Sequence, residues 1–173
     1  MARKITQEEF NLLLTTWSQD HVLGIESLFD IRLTEQQKDL VNLSNNPKAR
    51  VAVSSCTGSG KTAILSMMTF LYLMILPDCR LLITSPSYNQ LVRVFYSELT
   101  KWHRRMPEQF QEYFNITGEK VEYINTKKYL QFASLVTASV ENKESLQGGH
   151  PENYIIFGDE ASGITEEAFD ILL

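Results

Sequence analysis

Apolar residues along the chain change their period several times, and each change marks an element. Between residues 6 and 30, Phe10, Leu13, Leu14 and Trp17, then Val22, Ile25, Leu28 and Phe29, fall at near-helical spacing on either side of Ser18-Gln19-Asp20, which predicts two short helices. A third helix is predicted behind Thr34 as N-cap, ending in the turn Ser44-Asn45-Asn46-Pro47. Arg50-Val51-Ala52-Val53-Ser54 then reads as a strand, Ser55 to Gly60 as a loop of small residues, and the stretch from Lys61 as a long helix buried on most sides. Pro77-Asp78-Cys79 closes that helix, Arg80 to Ser85 reads as a second buried strand, and Ser87 to Arg105 reads as an amphipathic helix. Lys120 to Ile124 and Tyr129 to Phe132, bridged by Asn125-Thr126-Lys127-Lys128, predict a hairpin, with further strands at Leu135 to Ala138 and Tyr154 to Phe157. Strands alternating with helices predict an α/β fold, a mostly parallel sheet flanked by helices.

Composition narrows the class without naming a function. The 173 residues, 43% hydrophobic and 21% charged, suit one globular core rather than a disordered chain. Sixteen Lys and Arg stand against 21 Asp and Glu, a net charge of −5, which is not the basic footprint of an autonomous nucleic-acid binder. Any DNA contact is therefore expected to be local or shared with a partner. Cys56 and Cys79 are too few for a disulfide framework and lack metal or redox spacing, which fits a reducing compartment. No secretory signal is expected from the polar start Met1 to Glu9. The longest uncharged stretch, Thr62 to Leu76, has 15 residues against the ~20 that a membrane span needs, so no membrane partner is expected.

Chemistry concentrates at two places. Ser55-Cys56-Thr57-Gly58-Ser59-Gly60-Lys61-Thr62 is close to the phosphate-binding pattern G-x-x-x-x-G-K-[ST], with Ser55 in the first glycine's place. A strand leading into such a loop and a helix leading out lets backbone N–H groups and the helix N-terminus converge on an anion. In an ATP site built here, Lys61 reaches the β- and γ-phosphates and the Thr62 hydroxyl ligates Mg²⁺. The second place is Ile155-Ile156-Phe157-Gly158-Asp159-Glu160, an apolar strand ending in two acids. Ligands of open α/β sheets bind at that edge, so Asp159 is the candidate to hold the metal and Glu160 the candidate general base for an attacking water. Gln36 or Gln37 lies where many nucleic-acid motor ATPases place a glutamine that pairs with an adenine edge; an exposed helical glutamine explains either residue as well. Lys101-Trp102-His103-Arg104-Arg105 is the strongest basic cluster, readable as a phosphate-backbone contact or as a helix end complementing its dipole. His103 and His150 have no companion ligands at metal spacing.

Together these residues resemble the ATPase region of bacteriophage large terminase subunits, the DNA-packaging motors of tailed phages. The resemblance rests on Leu33 to Gln37, Val51 to Val53 leading into Gly58-Ser59-Gly60-Lys61-Thr62, Ile83 to Gln90, Leu146-Gln147-Gly148-Gly149-His150, and Ile155 to Ile164. It implies a P-loop NTPase of the ASCE/RecA-like kind over residues 34–173, preceded by a helical lead-in at 1–33. It also implies hydrolysis of ATP with Mg²⁺, double-stranded viral DNA as the translocated partner, and the portal and small terminase subunit as protein partners. A homo-oligomeric ring acting at the procapsid portal in the host cytoplasm completes that picture.

Two departures stand out. The loop has no basic residue before Lys61, and Gln147 stands where some relatives carry arginine. The charge-neutralising arginine is therefore unassigned, with Arg104, Arg105 and Lys143 as candidates. The family sheet normally inserts a later strand between the phosphate-loop strand and the acidic strand, so residues 1–173 are expected to leave a gap there, as a truncated piece would. A helicase-like DNA-dependent ATPase and a nucleotide-binding module that does not hydrolyse are the alternative functions.

Overall fold

A computed structural model describes residues 5–56, 58–124, 130–138 and 151–172. The expected Asn125–Lys128 bridge, Lys143 and the Gln147–His150 loop lie outside them. Two helices, α1 (Gln7–Gln19) and α2 (His21–Phe29), open the chain, and α3 (Glu35–Ser44) follows. Thr6 and Thr34 each close a capping box, with Glu9 and Gln37 as the reciprocating side chains, satisfying orphan N–H groups at both helix starts. Next come α4 (Lys61–Ile75), β1 (Cys79–Ser85) and a helical run made of α5 (Tyr88–Gln90), a π-helical segment (Leu91–Tyr96) and α6 (Ser97–Arg105). The remainder is α7 (Glu108–Gln111), β2 (Phe114–Ile116), β3 (Lys120–Tyr123), β4 (Gln131–Thr137), β5 (Asn153–Gly158), a 3₁₀ turn (Ala161–Gly163) and α8 (Glu166–Leu172).

The five strands form one sheet in the order β2-β3-β4-β1-β5. β1 is central and parallel to both neighbours, with Ile83 opposite Leu135 on one side and Phe157 on the other. β3 is antiparallel to β2 and to β4. The expectation of a mostly parallel sheet is thus corrected to a mixed one, because the chain returns through the short strand β2, which the sequence pattern did not announce, and runs β3 against β4. The two short runs expected around Tyr129 to Ala138 merge into the single strand β4.

Alternation divides the sheet into two faces. Cys79, Leu81 and Ile83 of β1, Ala133 and Leu135 of β4, and Phe157 of β5 join Met67, Phe70, Leu71 and Leu73 of α4 in the main core, with Phe10, Trp17, Ile25, Leu28 and Phe29 from the first two helices. The other face carries a small cluster, Leu82 with Val136 and Ile156, beside Phe132, over which Lys120 and Arg80 lie at 4.2 and 5.5 Å. Gln131, a polar residue turned into the core, donates from Nε2 to the carbonyls of Leu73 (2.9 Å) and Leu76 (2.6 Å). It satisfies carbonyls that the end of α4 would otherwise leave orphaned.

The strand expected at Arg50–Ser54 is also corrected. Residues 51–56 form no strand and belong to no sheet, and Val51 and Val53 stay 39% and 48% exposed. A strand exists only where its backbone groups find a ladder partner. Among the described residues none reaches this segment, and β5 stands as the sheet edge. No described helix is long and apolar enough to cross a membrane.

Candidate functional site

The small-residue loop and the acidic strand end meet. Thr62 Oγ1 donates to the Asp159 carboxylate, 3.2 Å from each oxygen, across 97 positions of sequence. Each side is held by its own element. Gly58 and Gly60 sit at φ +82° and +85°, the left-handed region where a side chain is strained, and Gly60 is the N-cap of α4. Among the described residues no side chain caps that helix start, so its first N–H groups have no side-chain acceptor there and face the loop where an anion could sit. On the other side, the Asp159 N–H donates to the Thr84 carbonyl at 2.9 Å, which extends the β1–β5 ladder by one residue and fixes the acid beside the end of β1.

Within the loop, the Lys61 ammonium folds back to donate to the carbonyls of Ser55 (3.1 Å) and Cys56 (3.2 Å). The hydroxyls of Ser55 and Ser59 share a 2.7 Å hydrogen bond across the loop. Ser55, Cys56, Gly58 and Ser59 are exposed, while Gly60, Lys61 and Thr62 are half-buried; Thr57 lies outside the described residues. The sequence pattern offered no hint of the serine bridge, because two hydroxyls four residues apart carry no motif.

Asp159 is 4% exposed. Burial pushes its carboxyl above the ordinary carboxylate range; the Thr62 hydrogen bond opposes this, and the Glu160 charge adds to it. Glu160 is exposed and adopts φ +53°, a backbone state that costs a non-glycine residue about 1–2 kcal/mol. That turn sends the two adjacent acids to different places, Asp159 inward and Glu160 outward. The 3₁₀ turn that follows approaches the β1 exit closely. A Cβ on Gly163 would lie 2.8 Å from Pro86 Cγ, so only the missing side chain permits the contact.

Of the two glutamines, Gln37 is the one against the loop: a Cβ on Gly60 would lie 2.8 Å from its Nε2. Its Oε1 accepts the Thr34 N–H at 3.0 Å, so the amide that abuts the loop is also the capping-box partner of α3. Gln36 is exposed. Beyond the exit of β1, the hydroxyls of Ser85 and Ser87 both meet Gln90 Oε1, at 3.4 and 3.2 Å. His103 lies away from this chemistry, with Nε2 3.1 Å from the Gln111 carbonyl and its ring on Phe70 at 5.9 Å.

No protein-family profile matches the chain. It is similar to a probable terminase, large subunit, of Enterobacteria phage P7, 23% identical over 176 residues that cover 99% of this chain and 35% of that protein. The chain is terminase-like. It spans about a third of the length of that curated relative, and the similarity takes in both the loop and the acidic strand end.

Proposed function

We propose that this terminase-like chain is the ATP-binding and hydrolysing part of a motor that packages viral double-stranded DNA. The observation that carries the reading is the meeting of Thr62 with Asp159. A hydroxyl at the first turn of an uncapped helix and a buried carboxylate at a parallel strand's end are hard oxygen ligands of the type Mg²⁺ takes when it shares its shell with phosphates. Bound there, Mg²⁺ would neutralise charge on the transferring phosphoryl group. The chain's own residues supply the rest. The N–H groups of Ser55 to Thr62 cradle the phosphates, and Lys61 exchanges its loop carbonyls for phosphate oxygens. Glu160, turned outward by its left-handed backbone, orients a water and accepts its proton as that water attacks the γ-phosphate in line. Gln37 is better placed than Gln36 to meet the base, since its amide abuts the loop.

Double-stranded DNA, a portal, a small terminase subunit and a ring of copies belong to the same proposal and rest on the similarity. Lys61→Ala and Glu160→Gln in the full-length protein are expected to lower ATP turnover by about a hundred-fold or more, with Glu160→Gln retaining nucleotide affinity. Unchanged turnover in both variants would sink the assignment. A wild-type protein that binds ATP without releasing phosphate in a single-turnover assay is a nucleotide-binding assembly module instead.

A further inference from the structure

The helical run 88–105 carries Arg93, Lys101, Arg104 and Arg105 against one acid, Glu98, in a chain whose net charge is −5. Its apolar side is committed to the core through Leu91, Phe95, Leu99 and Trp102. The opposite side is polar and open: Asn89, Arg93, Ser97, Lys101 and Arg104 are all exposed, and they recur at three- and four-residue steps, which puts them along one stripe. Glu98 does not neutralise the stripe as a whole. Its carboxylate is held by Lys101 at 2.9 Å and by the Trp102 indole N–H at 2.9 Å. Arg105 rests on the Trp102 ring at 4.7 Å, and no ion pair joins Arg93 or Arg104 to an acid among the described residues.

We infer that this stripe is a contact surface for the phosphate backbone of duplex nucleic acid, an inference that rests on the motor reading for its partner. The helix dipole explains cations in the last turn only, and Arg93 lies about three turns earlier. Guanidinium forks with amide and hydroxyl neighbours such as Asn89 and Ser97 are the groups that position a protein on phosphates. A protein partner would require an apolar or aromatic centre, whereas the stripe between Arg93 and Arg104 offers one exposed aliphatic side chain, Val94, among cations and small polar groups. The location also ties grip to chemistry. Pro86, two residues before the run, is where the turn after Glu160 packs through Gly163, so the run begins beside the acidic turn.

The test is the affinity of the full-length protein for a labelled 30-base-pair duplex across a salt series, with ATP turnover and thermal stability measured in parallel. Replacing Arg93 and Arg104 together by alanine is expected to lower the slope of log affinity against log salt by about 2, at about 0.9 for each phosphate no longer neutralised. The drop in affinity between 50 and 200 mM salt then shrinks about ten-fold, while melting temperature holds and Arg93→Ala alone leaves DNA-independent ATP turnover unchanged. Lys48→Ala, another exposed cation, is expected to leave the slope unchanged. An unaltered slope in the double variant overturns the inference, as does a fall in polyglutamate binding with duplex binding intact, which assigns the stripe to an acidic protein. Loss of turnover in Arg104→Ala with an unaltered slope makes that residue a charge-neutralising arginine and also overturns it. A wild-type protein that binds the duplex through the stripe but never hydrolyses ATP overturns the motor reading and leaves the surface standing.

Discussion

Asp159 carries a cost that the proposed metal-holding role explains. A carboxylate buried to 4% exposure, with one hydroxyl as its side-chain hydrogen-bond donor and a second acid next to it, is harder to ionise than in the unfolded chain. The folded protein therefore binds a proton there more tightly, and stability falls as pH rises from the unfolded carboxylate pKa through the folded one. Asp159→Asn removes the charge while its amide oxygen still accepts from Thr62. In the absence of nucleotide and Mg²⁺, the variant is expected to melt a few degrees above wild type at neutral pH, with the difference vanishing in acid, where the wild-type group is protonated. The same substitution is expected to abolish ATP turnover and the stabilisation that ATP with Mg²⁺ gives the wild type. Calorimetry across pH with and without ATP·Mg²⁺ checks both arms, and a variant less stable than wild type at neutral pH would show that Asp159 is a structural ion rather than a strained ligand.

At the scale of elements, the legible parts were those whose periodicity agrees with their environment. α1, α2, α3 and α4, the helical run behind Ser87, and strands β1 and β5 all have bounds close to those their apolar spacing announced. Thr34 caps α3 as its sequence suggested. Val51-Ala52-Val53 reads as a strand because β-branched residues suit a ladder, yet pairing is a property of the neighbour, which no local pattern contains. β2 escaped notice because three residues, Phe-Asn-Ile, are too few to show a period. The meeting of Thr62 with Asp159 was legible only as two motifs, since the distance between them depends on the crossover that sets β1 beside β5. The Gly163 contact was not legible at all. A glycine three residues beyond an acidic motif looks like an ordinary turn, whereas the backbone approach to Pro86 requires it. Gly163→Ala is expected to push the acidic turn away from the β1 exit, lowering turnover severalfold with little change in melting temperature, because the contact lies outside the main core. A fall in stability that matches the fall in turnover would mean that Gly163 serves folding rather than the site.

For the molecule as a whole, the sheet separates the end where the small-residue loop meets the acidic turn from a flank that carries neither. β1, paired on both sides, and α4, buried through most of its length, form the rigid centre. The loop 55–62 and the turn 159–163 lie at one end of this centre, while the β2–β3 hairpin lies at the far edge of the sheet. Ligand binding should therefore be felt unevenly, because only segments with few buried contacts can respond locally without opening the core. Hydrogen exchange of the full-length protein is expected to be slowest in β1 and the middle of α4. It is expected to be fastest in 51–56, whose backbone has no ladder partner among the described residues. Saturating ATP with Mg²⁺ is expected to slow exchange at Gly58 to Thr62 and at Asp159 to Gly163, and through Gly163 and Pro86 at the start of the helical run, while the hairpin stays unchanged. Protection spread evenly over all five strands would instead mean that nucleotide stabilises the fold globally, and that the acidic turn and the basic helix are not coupled in the way their contact implies.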